Sequence, residues 1–305
     1  MSLVEKALQK MQAQAKAQGA ATAAPKAVGR VIHPEPATAI AVEPPASTTS
    51  TRNVPPPQPA RVITLNRATL RHQGMLPPEH EERAIAQQYR QIKRPLVTNA
   101  FGRGAPALPN GRLIMVASAL PGDGKTFTSM NLALSISREE DVNVVLVDAD
   151  VAKRHLSMIL GLGEEPGLLD ALRDPDQDME RFILPTDVPS LSLLSAGRRV
   201  DNATELLSSN RMEDVSRQLV MRDPNRIVVF DSPPLMLTTE SQALARAVGQ
   251  IVVVVRAGVT PQGVLLDALS TLGERPVSLL LNQSVARSAT NYYYGYGDSR
   301  EGSSP

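Results

Sequence analysis

Between Leu113 and Leu281 two hydrophobic rhythms alternate along the chain. Predominantly apolar runs, Leu113–Ala117, Val144–Val147, Leu191–Leu194, Ile227–Phe230, Ile251–Val255 and Val277–Leu281, the third and sixth each broken by one serine, are separated by stretches with helical spacing. Strands with one wet face alternate apolar and polar residues, so runs without alternation read as strands buried on both faces. Such strands, interleaved with helices, predict an α/β fold: a parallel sheet with helices on both faces. Strand order is not readable from the pattern.

Upstream, Val62 to Leu65 alternates in short apolar steps, a helix runs through Leu70 to Gly74, and a longer helix spans about Pro78 to Arg94, stopped by Pro95. In residues 1–18, Leu3, Val4, Ala7, Leu8 and Met11 recur at helical spacing beside Glu5, Lys6, Lys10 and Lys16. This predicts a short amphipathic helix, either a docking element or a marginal helix without a role. Residues 19–60 are rich in Ala, Pro, Thr and Ser, and too little apolar surface is available there to offset chain entropy. They read as a disordered tether, stiffened by its prolines. The globular domain is expected over 61–286. Residues 287–305 lose all periodicity and read as a mobile tail.

Composition narrows the function classes. Lys plus Arg number 32 against 31 Asp plus Glu, a net charge of +1, which speaks against nucleic-acid binding through bulk positive charge. The absence of cysteine excludes disulfides, a thiol nucleophile and Cys-ligated zinc, and fits a reducing cytosol. The longest aliphatic run, Ile251 to Val255, is far short of the ~18 residues of a membrane span. The opening residues lack the continuous apolar core of a signal peptide. His33, His72, His80 and His155 have no metal-ligand spacing, and no Gly-x-Ser-x-Gly context supports a serine hydrolase.

The informative chemistry follows the first predicted strand. Ser118-Ala119-Leu120-Pro121-Gly122-Asp123-Gly124-Lys125-Thr126 leads into a helical stretch from Phe127 to Arg138, and Ala119 stands where G-x-x-x-x-G-K-[ST] usually begins with glycine. Glycines let backbone N–H groups curl around phosphate oxygens, and the helix N-terminus adds its positive dipole end. Lys125 then neutralises β and γ oxygens while Thr126 offers its hydroxyl to magnesium. Pro121, Gly122, Asp123, Gly124, Lys125, Thr126 and Phe127 are therefore the candidates for holding the phosphates of a nucleotide. Two later strands end in acids: Val144 to Val147 runs into Asp148-Ala149-Asp150, and Ile227 to Phe230 into Asp231-Ser232-Pro233-Pro234. A carboxylate at the end of a buried strand needs a positive partner, and Mg2+ with its waters is the usual one.

With these motifs the sequence resembles the bacterial tyrosine kinases of polysaccharide assembly, and within them the autokinases of exosortase and exopolysaccharide loci. Ala119 to Thr126 is similar to the family's Walker A, Leu146-Val-Asp-Ala-Asp150 to its Walker A′, and Val228-Val-Phe-Asp-Ser-Pro-Pro234 to its Walker B. Gly167 to Leu172, Leu193 to Gly197, Glu205 to Ser209 and the opening Met1 to Leu8 are also family-like. The resemblance implies a P-loop NTPase-like sheet and an ATP- and Mg2+-dependent protein-tyrosine autokinase regulating exopolysaccharide or capsule biosynthesis and export. It implies catalytic roles for Lys125, Asp148, Asp150 and Asp231, with Thr126, Asp148 and Asp231 at the metal. Asp148 would lie near the transferred phosphoryl group, and Asn282 would face adenine. It further implies a cytoplasmic chain held at the inner membrane by a transmembrane co-polymerase that activates it, self-association into a homo-oligomer, and an opposing phosphotyrosine phosphatase.

The sequence departs from the family in two places. Ala152 stands where Walker A′ commonly has Arg, with Lys153 and Arg154 following, and the helical oligomerisation pattern Glu-x-x-Arg-x-x-Arg has only Gln87-x-x-Arg90-x-x-Lys93 as its match. The same Walker elements occur in partition and division-site ATPases, but those carry a second lysine where this chain has Leu120. Four of the five tyrosines, Tyr292, Tyr293, Tyr294 and Tyr296, cluster among polar and glycine neighbours, which speaks against a core cluster and makes them phosphoacceptor candidates; the resemblance implies that such clusters are autophosphorylated. Two other classes stay open: a ParA- or MinD-like ATPase switch that positions cargo, and a low-turnover ATP-bound scaffold in polysaccharide export.

Overall fold

The computed structural model describes residues 61–104 and 106–284. The amphipathic helix expected in residues 1–18, the tether over 19–60 and the tyrosine-bearing tail lie outside the described residues.

Each non-alternating apolar run forms a strand: β1 Leu113–Ser118, β2 Asn143–Asp148, β4 Leu191–Leu194, β5 Arg226–Asp231, β6 Gln250–Arg256 and β7 Val277–Asn282. A further short strand, β3 Ile183–Pro185, joins them. Among the described residues these make one sheet of order β3-β4-β2-β5-β1-β6-β7, parallel throughout except for β3, which pairs antiparallel with β4 at one edge. The helices are α1 Arg67–His72, α2 Glu82–Phe101, α3 Lys125–Ile136, α4 His155–Ile159, α5 Leu168–Arg173, α6 Ala203–Ser208, α7 Asn210–Met221, α8 Thr239–Ala247 and α9 Gln262–Ser270.

Because successive strand residues point to opposite faces, each central strand feeds two cores. Leu113, Met115 and Ala117 of β1 pack with residues of α5 to α9 on one face, whereas Ile114 and Val116 pack with residues of α1 to α4 on the other. Phe230, Leu146 and Met115 are fully enclosed, each worth about 1.5–3 kcal/mol of burial. Ile63, in the short apolar alternation, bridges Thr186 beside the antiparallel edge, and Ile63 and Leu65 are both buried.

The helix expected to stop before Pro95 does not stop there. A single 3-10 turn, Glu79–Glu81, leads into α2, which continues through Pro95 to Phe101 and ends on Gly102 with φ 68°. Proline interrupts only the bond to the preceding turn, and here its ring lies on the exposed side while Leu96, Val97 and Ala100 are buried. Burial of the following turn outweighs the lost bond. Lys93, the last position of the weak oligomerisation match, is also buried: its Nζ donates to the Ser135 carbonyl at 2.6 Å and pairs with Glu139 at 2.7 Å. It ties α2 to the end of α3 instead of reaching outward.

Candidate functional site

Strand order brings the acidic strands together. β5 lies between β2 and β1, with Asp148 opposite Asp231 and Val116 opposite Asp231. The phosphate loop leaves β1 at the same C-terminal edge, where open parallel sheets place their ligands. Gly122 and Gly124 have φ of 86° and 97°, a left-handed backbone that turns the loop around its concavity. α3 begins at Lys125 with its N-terminus facing that space.

The charges converge. Lys125 Nζ is 3.6 Å from Asp150 Oδ2, both largely buried. Asp148 Oδ2 accepts from the Ser157 N–H at 2.8 Å and the Ser157 hydroxyl at 2.7 Å, while its Oδ1 accepts from the Asp150 N–H at 3.2 Å. The Ser129 hydroxyl, one turn into α3, lies 3.0 Å from Asp231 Oδ1. Burial pushes the Asp231 carboxyl up to about 7, although Lys125 pulls the other way and Asp148 adds to the rise. Burial also raises Asp148, to about 6, against the opposing Ser157 hydrogen bonds. Two enclosed carboxylates resisting ionisation form a site that a cation relieves.

Beside them opens a cavity of about 790 Å3, lined by Pro121, Gly122, Gly124, Lys125, Thr126 and Phe127 of the loop. Asp150, Lys153 and His155 line it after β2, Leu280 to Ser284 at the end of β7 and just beyond it, and Met75, Pro77, Ile85, Tyr89 and Ile92 from the α1–α2 side. Tyr89 packs beside Phe127 with ring centroids 6.5 Å apart, and burial pushes its phenol up to about 12. Among the described residues no group of three or more His, Cys, Asp or Glu side chains could hold a metal by itself. A hydroxyl and separated carboxylates fit Mg2+, which keeps several waters and shares its coordination with substrate phosphates.

Most of the sequence-derived candidates meet here. Asp148 and Asp231 lie behind the cavity wall, and Asp123 turns away from the cavity into the protein: its buried carboxylate accepts from the Leu120 N–H at 3.1 Å and the Thr260 hydroxyl at 2.8 Å. Asn282 Nδ2 donates to the Asp123 carbonyl at 2.9 Å, so the end of β7 touches the loop. Of the two cations after Walker A′, Lys153 lines the cavity, whereas Arg154 is buried with φ 53° and its Nε and Nη2 have no hydrogen-bond partner among the described residues. Ser129, Ser157 and Thr260 escaped the sequence reading. Ser129 alone carried a local signal, one helical turn after Lys125; Ser157 meets Asp148 across a nine-residue turn after β2 that has no motif of its own, and Thr260 meets Asp123 across 137 residues.

A family model described as ParA, NUBPL iron-transfer P-loop NTPase matches residues 111–264, half of the chain. Among curated relatives, the tyrosine-protein kinase ptk of Acinetobacter johnsonii is 32% identical over 183 residues, 59% of this chain and 24% of that protein. The chain thus spans about a quarter of the length of the first curated relatives it matches. The tyrosine-protein kinase YwqD of Bacillus subtilis is 25% identical over 237 residues, covering 76% of this chain and 96% of that protein. Among solved structures, the BceF tyrosine kinase domain superposes with a TM-score of 0.57 at 26% identity, over 70% of this chain and 86% of that one.

Proposed function

Since the chain belongs to the ParA, NUBPL-type family of P-loop NTPases, we propose that within it this protein is an ATP- and Mg2+-dependent protein-tyrosine kinase acting on its own C-terminal tyrosines. One observation carries the reading: the phosphate loop, Lys125 and the buried Asp148–Asp231 pair converge at one edge of a sheet that resembles tyrosine kinase domains. Iron transfer through an Fe–S cluster finds no support, because the chain has no cysteine to ligate one.

Phosphoryl transfer asks chiefly for positioning and charge neutralisation. In this assignment the N–H groups of the loop and Lys125 hold the phosphate oxygens, and Asn282 faces the adenine end. Thr126, Asp231 and Asp148 would hold the metal with its waters, and Asp150 keeps Lys125 oriented. Magnesium, when bound, neutralises charge on the phosphates. Asp148 orients the tyrosine hydroxyl, which has an ordinary pKa near 10, and accepts its proton as the new O–P bond forms and the bond from the γ-phosphorus to the β-phosphate oxygen breaks, with ADP as the leaving group. The acceptors are Tyr292, Tyr293, Tyr294 and Tyr296.

No helix among the described residues is long and apolar enough to cross a membrane. In this proposal the chain works in the cytoplasm and meets the inner membrane through a transmembrane polysaccharide co-polymerase that activates it. It self-associates and is reset by a phosphotyrosine phosphatase. Burial of Lys93 removes one charge from the matched oligomerisation pattern, so self-association would use other contacts. The family model also favours a second reading, an ATPase switch, against which Leu120 replaces the lysine that reaches across such dimers.

The test is intact-mass and anti-phosphotyrosine analysis after incubation with ATP and Mg2+, with and without membrane extract, beside Lys125→Met. Phosphate on Tyr292 to Tyr296 that needs Lys125 supports the kinase. ATP-dependent dimers without phosphotyrosine support the switch.

A further inference from the structure

The phosphate loop is held from outside by two segments that follow it by more than a hundred residues. Asp123, between the two loop glycines, is 3% exposed, and its side chain turns away from the cavity. One carboxylate oxygen accepts from the Leu120 N–H at 3.1 Å, bracing the loop across its own turn. The other accepts from the Thr260 hydroxyl at 2.8 Å, on the segment between β6 and α9. That hydroxyl also accepts from the Arg256 N–H at 3.0 Å, so its single proton is directed at Asp123. From the end of β7, Asn282 Nδ2 donates to the Asp123 carbonyl, and a Cβ on Gly124 would fall 2.0 Å from that nitrogen.

We propose that Thr260 is a positioning residue for nucleotide binding: its hydroxyl, through Asp123, holds the phosphate loop in the curved form that presents its N–H groups. The inference deepens the proposed function and rests on the nucleotide-binding part of it. The chemistry suits the task. A hydroxyl bonded to a buried carboxylate is a charge-assisted contact, short and directional, and its loss leaves Asp123 with one unmet oxygen in a dry place. Asp123 would then turn toward another donor, and the N–H of Leu120 would move with it. Thr260 does not line the cavity, so its influence on bound nucleotide passes through Asp123.

The experiment uses the full chain and titrates ADP and ATP by fluorescence or calorimetry. Thr260→Val keeps the shape of the side chain and removes its proton; we expect the dissociation constants to rise roughly tenfold, the scale of one charge-assisted hydrogen bond. Thr260→Ser restores the hydroxyl and binding near the parental value. In an Asp123→Ala background Thr260→Val has no further effect. A parental affinity in Thr260→Val, a Ser variant as weak as Val, or a full additive loss in the Asp123→Ala background each overturns the proposal. A general packing defect shows itself differently: the urea midpoint of the nucleotide-free protein falls in Val and Ser alike. If the parent protein binds no nucleotide, the proposed function fails, whereas parental binding unaltered in Thr260→Val sinks only the Thr260 assignment.

Discussion

Asp231→Asn removes the most deeply buried charge of the site and keeps its shape, and it should stabilise the nucleotide-free protein. Burial raises this carboxyl from near 3.8 to about 7. The folded state therefore holds the proton more tightly than the unfolded chain, and ionisation opposes folding. That penalty is absent below about pH 4, grows as pH rises through the interval up to about 7, and is complete above it. Three pKa units at ~1.4 kcal/mol each set a ceiling of ~4 kcal/mol. Asparagine keeps an oxygen for the Ser129 hydroxyl, so ~2 kcal/mol or more of that should be recovered. The assay is urea unfolding in EDTA at about pH 5 and about pH 8, parent against variant. The variant should be the more stable protein at the higher pH, with the gap narrowing by more than half at the lower one. Adding Mg2+ and ATP should then stabilise the parent more than the variant. A variant no more stable than the parent at about pH 8, or a gap indifferent to pH, would refute the reasoning.

Ser157→Ala deletes the hydroxyl contact to Asp148 and leaves the N–H contact, so Asp148 rises further above its value of about 6. Transfer that needs ionised Asp148 is lost as pH falls through that value, and the acid limb of the pH–rate profile should move to higher pH in the variant. Lys93→Met empties the link between α2 and Ser135 and leaves Glu139 with only the distant Arg103, which should lower stability by about 1–3 kcal/mol in urea titrations. Gly124→Ala should abolish nucleotide binding in titrations, because the new methyl would collide with Asn282 and φ is 97°; adding Asn282→Ala relieves only the collision and should restore binding in part.

The sheet was legible because its central strands are buried on both faces, which writes uninterrupted aliphatic runs such as Ile251–Val255 into the chain; the edge strand β7 has a comparable apolar run but leaves Leu279 and Leu281 exposed, so the expectation of burial on both faces fails there. β3 was not: three half-buried residues ending in proline carry no period, and they pair only because β4 leaves an edge free. Pro95 misled because local backbone chemistry argues for a stop while the burial of Leu96 and Val97 argues for continuing, and only packing settles which wins. In the site, the phosphate loop and the strand-end aspartates are local patterns. The inward turn of Asp123 is not, since its partner Thr260 lies 137 residues away and resembles any other surface threonine.

A loop tied down before its ligand arrives shifts the entropy of ordering from binding to folding. Fixing one residue costs about 1–2 kcal/mol, and Ala119 to Gly124 would otherwise be immobilised at the moment of association. Here that cost is met when the ends of β6 and β7 settle against the loop. Nucleotide then meets a finished cradle, so association needs no conformational step and differences in affinity fall on how long the complex lasts. Residence time thereby becomes adjustable from Thr260 and Asn282, without changing the loop residues that line the cavity.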